Sequence, residues 1–145
     1  MTKIDSSGKP LALDATQWPV VLQNQTGLMW TTADISTKRL THDKAVKAVA
    51  SIAAAGFAGF HDWRLPTVEE LFCLADRSRH SPAIDTDFFP AANSSWYWSS
   101  SPVASSPAVF AWLVYFGNGY SDYLHRSGSA FVRAVRSVSP ASAGQ

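Results

Sequence analysis

The stretch Asp62-Trp63-Arg64-Leu65-Pro66-Thr67-Val68-Glu69-Glu70-Leu71 constrains this chain more than any other, because it dictates both a corner and the start of a helix. Thr67 and Glu70 stand three apart just before an apolar run, the spacing at which each side chain satisfies a free backbone N–H at a helix N-terminus. Pro66 pushes Leu65 towards an extended conformation. The chain is therefore expected to arrive straight, turn at Pro66 and enter a helix at Thr67. A Trp and an Arg fixed in front of a capped helix, Trp63 and Arg64, read as residues that lock the corner and not as a recognition pair.

At 145 residues the chain suffices for one domain that buries roughly 68% of its unfolded surface. Six Trp and eight Phe supply rings for both core and recognition, while charged residues make up only 16%. The formal charge of +1 comes from scattered Lys and Arg, which argues against a phosphate-backbone partner, so no nucleic acid is expected. A single cysteine, Cys73, excludes an internal disulfide and a multi-thiolate zinc site. Its place beside a helix stripe suggests a small hydrophobe. Neither a secretory core in Met1–Pro10 nor a bilayer-length apolar run is present, so membrane insertion is not expected and the chain is expected to be cytoplasmic as synthesised, or else virion-associated or released.

Residues 1–15 and 138–145 are polar or rich in Ser, Ala, Pro and Gly, so a flexible N-terminal segment, an ordered domain over 16–137 and a flexible tail are expected. Trp18–Leu22 and Leu28–Thr31 flank a turn at Gly27 and read as a hairpin. Ala45, Val46, Val49, Ala50, Ile52 and Ala53 recur at helical spacing between a cap at Thr41 and a stop at Gly56. The second helix, Thr67 to Ala75, presents Val68, Leu71, Phe72, Leu74 and Ala75 as its buried stripe. A long connection over 77–93 follows. Ser95–Ser101 then alternates Trp96 and Trp98 with Tyr97 and Ser99, and Ala108–Phe116 is apolar on both faces, as a buried central strand would be. Tyr120–Leu124 returns after the turn Gly117-Asn118-Gly119, and Ser129–Val135 is the last strand. This order predicts an α+β fold, with two helices packed on antiparallel sheets and a long loop region. Arg133 and Arg136 differ by an odd number and face opposite ways on a strand; one is expected to pair with Asp62, Glu69 or Glu70, the other to be exposed.

Thr26-Gly27-Leu28-Met29-Trp30, Asp62–Thr67 with Glu70-Leu71, Phe89-Pro90, Trp96–Ser101, Ala111-Trp112, Phe116-Gly117 and Val132–Arg136 follow one another in an order that resembles the Lcl C-terminal domain family, named after the Legionella collagen-like adhesin. The resemblance implies a C-type lectin-like fold in which first and last strands pair, and a ligand-binding scaffold more than a catalyst. It gives Trp30, Trp63, Arg64, Pro66, Thr67, Glu70, Trp98 and Trp112 the role of structural motif. The Glu-Pro-Asn, Gln-Pro-Asp and Trp-Asn-Asp triplets of calcium-dependent lectins are absent, so a calcium-bridged sugar site is not expected.

The segment with a binding-surface composition is Asn118 to Arg126, where Tyr, Ser, Asn and Gly mix as they do in paratopes. Asn118, Tyr120, Ser121, Asp122, Tyr123, His125 and Arg126 are therefore the candidate ligand-binding residues, supported by Tyr97 and the loop over 101–107. His42, His61, His80 and His125 lack ligand spacing, and no nucleophile elbow surrounds the serines at 99–101, so no metal, cofactor or catalytic residue is expected. The function expected is a non-enzymatic module for a glycan or cell-surface ligand, of adhesin or receptor-binding type. The alternative is an intracellular protein-binding module, such as a phage-encoded inhibitor of a host protein. Aromatic content beyond the needs of one small core also points to a homo-oligomer, dimer or trimer.

Overall fold

The computed structural model describes residues 1–138. Two antiparallel sheets and two helices build it, as the α+β reading expects. Strands β1 (Thr2–Ile4), β2 (Val20–Gln23), β3 (Leu28–Thr31) and β7 (Val135–Ser137) form one sheet in the order β1-β2-β3-β7. The other sheet, in the order β4-β5-β6, comprises β4 (Trp96–Pro102), β5 (Phe110–Tyr115) and β6 (Tyr120–His125). Helix α1 spans His42–Ala54 and α2 spans Val68–Leu74. The last strand pairs with β3 and not with the first strand, correcting the pairing implied by the resemblance.

Local chemistry sets each of these elements. In the β2–β3 hairpin Val20 faces Thr31 and Gln23 faces Leu28, with Gly27 at φ 70° in the turn. Thr41 accepts from the Lys44 N–H to cap α1, and the helix stops before Gly56, which sits in the left-handed region. At α2 the predicted capping box is complete: the Glu70 N–H donates to Thr67 Oγ1 at 3.2 Å and the Thr67 N–H donates to Glu70 Oε1 at 2.8 Å. Arg64 grips the same carboxylate in bidentate fashion, at 2.7 and 2.8 Å. Burial opposes the charge on Glu70, but the bonds from Arg64 and Thr67 outweigh it and hold the carboxyl below its ordinary value. The serines of β4 complete the corner, since the Ser100 N–H donates to Pro66 O and Ser101 Oγ accepts from the Val68 N–H.

Several expectations need correction. Order does not begin at Thr16: Thr2–Ile4 pairs with β2, Ile4 is buried, and Lys3 lies over the Trp18 ring with its ammonium on the carbonyls of Leu13 and Ala15. Of the expected tail, Val138 donates to Gly27 O and packs on the core; residues 139–145 lie outside the described residues. Of the expected last strand, Ser129–Val135, only Val135 falls in a regular strand, which runs on to Ser137. On α2, Phe72 and Cys73 are exposed, because the buried stripe is narrower than the apolar pattern. Val46 on α1 is exposed for the same reason.

Two apolar clusters fill the molecule. One gathers Val20, Met29, Val49, Trp63, Leu65, Trp98 and Leu113 beneath α1. The other gathers Trp30, Leu71, Leu74, Ile84, Phe89, Val114 and Phe116 beneath α2 and the 77–93 connection. Between the sheets lies a polar knot. One of the two arginines was expected to be exposed, and neither is: Arg136 is buried, and Arg133, 2% exposed, donates from one nitrogen to the carbonyls of Thr31 and Thr32 at 2.7 and 2.6 Å. The other terminal nitrogen of Arg133 reaches Asp34 at 3.3 Å. Tyr97 and Asn93 donate to the same carboxylate at 2.6 Å each. Arg136 is the arginine that pairs with Asp62, at 2.7 Å, and it stacks on Phe60.

Candidate functional site

The β5–β6 hairpin carries the candidate surface, and its register decides what that surface is. Tyr120 faces Tyr115, Asp122 faces Leu113 and Leu124 faces Ala111, while Ser121 faces Val114, Tyr123 faces Trp112 and His125 faces Phe110. Side chains alternate along a strand and directly opposed residues share a face. The two exposed tyrosines of the predicted rim therefore point to opposite sides of the sheet.

On the outer side, Phe110, Trp112, Tyr123 and His125 form a continuous row. Tyr123 stands 5.6 Å from Trp112 and 5.5 Å from Phe110, and His125 stands 5.6 Å from Phe110, each pair close to perpendicular. Edge-to-face neighbours fix one another's orientation, so this apolar surface is set before any ligand arrives. Tyr123 is 51% exposed, whereas Phe110 and Trp112 are half-buried. Where α2 overhangs the same side, Val68, Glu69, Phe72, Cys73 and Ser121 line a notch of about 360 Å³.

The opposite side holds a groove of about 370 Å³ lined by Arg39, Trp96, Leu113, Asp122, Leu124, Gly128 and Ser129, and Tyr123 at the sheet edge borders it as well. Next to it, Trp96 packs on Tyr115 at 4.7 Å and Tyr120 stands 64% exposed. A larger hollow of about 560 Å³ lies between α1 and the corner. Its one charged wall residue, Arg64, is already committed to Glu70, so it offers shape with little chemistry.

The indole N–H groups separate scaffold from surface. Trp18, Trp30, Trp63 and Trp98 donate to Phe88 O, Gln23 Oε1, Phe57 O and Leu40 O at 2.8–2.9 Å. Trp96 and Trp112 have no such acceptor among the described residues, and both side chains are only half-buried. Trp112, expected to be purely structural, is thus part of the outer row. β5 is correspondingly not buried on both faces. The pairing of Phe110-x-Trp112 with Tyr123-x-His125 was the sequence signal for this row, and it becomes readable only once the register is known.

Other candidates take different places. Tyr97 is a core residue, 1% exposed, with its hydroxyl donating to Asp34; burial pushes the phenol up to about 12, and the ring lies inside the molecule and not on the hairpin surface. Asn118 shapes the turn, its side-chain oxygen accepting from the Tyr120 N–H. The Asp122 carboxylate accepts from the Tyr123 N–H at 2.7 Å. Arg126 is a strut, with two nitrogens on Pro107 O and a third donating to His42 Nδ1 at 2.8 Å. That contact makes Nδ1 an acceptor, so His42 donates from Nε2 to Ser99 O at 2.9 Å. Burial and the neighbouring guanidinium lower its pKa and keep the ring neutral. Among the described residues no three His, Cys, Asp or Glu side chains converge in a way that could hold a metal ion.

A search of the curated proteins returns no match to this chain. A family model described as the Lcl C-terminal domain matches residues 19–136, from the residue before β2 into β7, and so takes in the corner, both helices and the β5–β6 hairpin. Over most of its length, then, the chain belongs to the Lcl C-terminal domain family.

Proposed function

We propose that this domain is a non-enzymatic, adhesin-like recognition module that binds a glycan through the outer row of the β5–β6 hairpin on a C-type lectin-like scaffold. Family membership supports the adhesin-like part of this reading. The observation that carries the rest is Trp112, a half-exposed indole whose N–H has no acceptor among the described residues, set in a preformed row with Phe110, Tyr123 and His125. Sugars present apolar C–H faces ringed by hydroxyls, and such a row supplies the matching flat apolar surfaces. Ser121 and Glu69 beside the notch supply an adjoining hydroxyl and carboxylate to pair with sugar hydroxyls.

A glycan array with and without chelator tests this, using wild type, Trp112→Ala, Tyr123→Ala and Tyr120→Ala. Removing one stacking ring costs about 1.5–2 kcal/mol, so binding falls roughly ten- to thirty-fold in the first two variants. Tyr120→Ala, on the other side of the sheet, binds like wild type. Equal losses in all three variants, or binding to no glycan in the array, would refute the assignment; one stoichiometric protein partner from a host lysate would then favour protein recognition.

A further inference from the structure

Each sheet has two edges, and three of the four are covered. Residues 9–11 shield β1, with the Leu11 N–H donating to Lys3 O and the Asp5 N–H to Lys9 O, both at 2.8 Å. Arg64 closes β7 by exchanging two main-chain bonds with Val135 at 2.9 Å. β4 is sealed by Phe131, which bonds the main chain of Trp96 and Trp98, and by Pro66, which accepts from the Ser100 N–H. Among the described residues only β6 has an open edge. It has six residues in unbroken register with β5 and carries no Lys, Pro or bulge, three of the devices that protect exposed edges from pairing.

The polarity of that edge follows from the ladder. The Arg126 N–H donates inward to Val109 O, so by alternation Leu124, Asp122 and Tyr120 turn their main-chain groups towards β5. Ser121, Tyr123 and His125 turn theirs outward. Of these outward groups, the Tyr123 N–H is held by Asp122 Oδ1, and His125 O accepts from the Gly128 N–H, which leaves the carbonyl a second lone pair.

We propose that β6 pairs antiparallel with β6 of a second copy of this chain, making one continuous six-stranded sheet about a two-fold axis at Tyr123. This inference is independent of glycan binding. In that register Tyr123 faces the partner's Tyr123, and Ser121 faces the partner's His125. Each facing pair of outward residues exchanges two main-chain bonds. The Asp122 carboxylate releases the Tyr123 N–H as the partner's carbonyl replaces it. Asp122 comes opposite an apolar residue, the partner's Leu124, and Arg126 opposite the partner's Tyr120, so no like charges meet. Shifting the axis to Leu124 would oppose Asp122 to the partner's Arg126, but Arg126 is already committed to His42 and Pro107. The favoured register lays the outer aromatic rows of both copies on one side of the sheet, end to end. A self-complementary strand of this kind selects a second copy over an arbitrary peptide.

Sedimentation of the full chain from about 10 μM to about 1 mM, the range expected of a small interface, tests the pairing. The mass rises from 15.7 kDa towards twice that value, and the Ser121 and His125 amides become more protected from exchange while Leu124, already paired with β5, does not change. Ser121→Pro removes only an outward N–H and abolishes the rise. Ser121→Ala keeps that N–H and retains it. Circular dichroism confirms that the variants fold; should the proline variant not fold, the exchange pattern of the wild type decides alone. A constant monomer mass, or concentration-dependent protection that excludes Ser121 and His125, overturns the proposal.

Discussion

Replacing Arg133 by Met removes the one cation in the polar knot between the sheets while keeping much of the side chain's apolar bulk. The carbonyls of Thr31 and Thr32 lose charge-assisted bonds of 2.7 and 2.6 Å, and Asp34, 8% exposed, keeps its charge with only Tyr97 and Asn93 to balance it. Leaving one member of a buried pair alone costs about 3–5 kcal/mol, a large part of the roughly 5–15 kcal/mol that holds a domain together. At about 3 °C per kcal/mol for a chain of this size, the melting temperature drops by about 10–15 °C. Urea denaturation of wild type and R133M at neutral pH, with equal slopes, measures the loss directly. R64M is the comparison. Arg64 is 41% exposed where it meets Glu70, so its removal costs about 1 kcal/mol or less. The double variant D34L/R133M recovers part of the R133M loss because no lone charge remains. An R133M loss below about 1.5 kcal/mol, or no greater than that of R64M, would show that the knot is not what joins the sheets.

Two further outcomes follow from the caps and the buried histidine. Thr67→Ala removes half of the capping box and lowers stability by about 1 kcal/mol, read as a fall of about 3 °C in melting temperature; an unchanged value would mean that Arg64 and Glu70 set the corner without the cap. His42 has a folded-state pKa below its unfolded value of 6.5, so the unfolded chain takes up a proton first as the pH falls. Its contribution to stability is complete above pH 6.5 and declines as the pH drops from there through the folded value. Urea midpoints between about pH 7 and about pH 5 decline for wild type and hold steadier in His42→Gln; parallel slopes in the two proteins would remove His42 as the cause.

Caps, stops and tight turns, whose signals are local in the chain, were legible in the sequence. The Thr67–Glu70 box, the Gly27 turn, the Gly56 stop and the proline corner each depend on neighbours within a few residues, and each stands as expected. Expectations failed where distant partners decide. Residues 1–15 look like a free end until Lys3 finds two carbonyls and the Trp18 ring, and either of Arg133 and Arg136 could be a surface charge until Asp34, 99 residues before Arg133, meets the first of them. The candidate site fell between these cases. Composition singled out the segment that forms β6, yet Tyr97 joined the core and Trp112 left it, because register and not composition determines which ring meets solvent.

Every member of the Asp34 knot lies outside β6: Asn93, Tyr97 and Arg133 all belong to other segments. The outer residues of β6 thus make none of the bonds that tie the knot together. Ser121, Tyr123 and His125 can be exchanged as a set, as keys on one ring, without breaking any of those bonds.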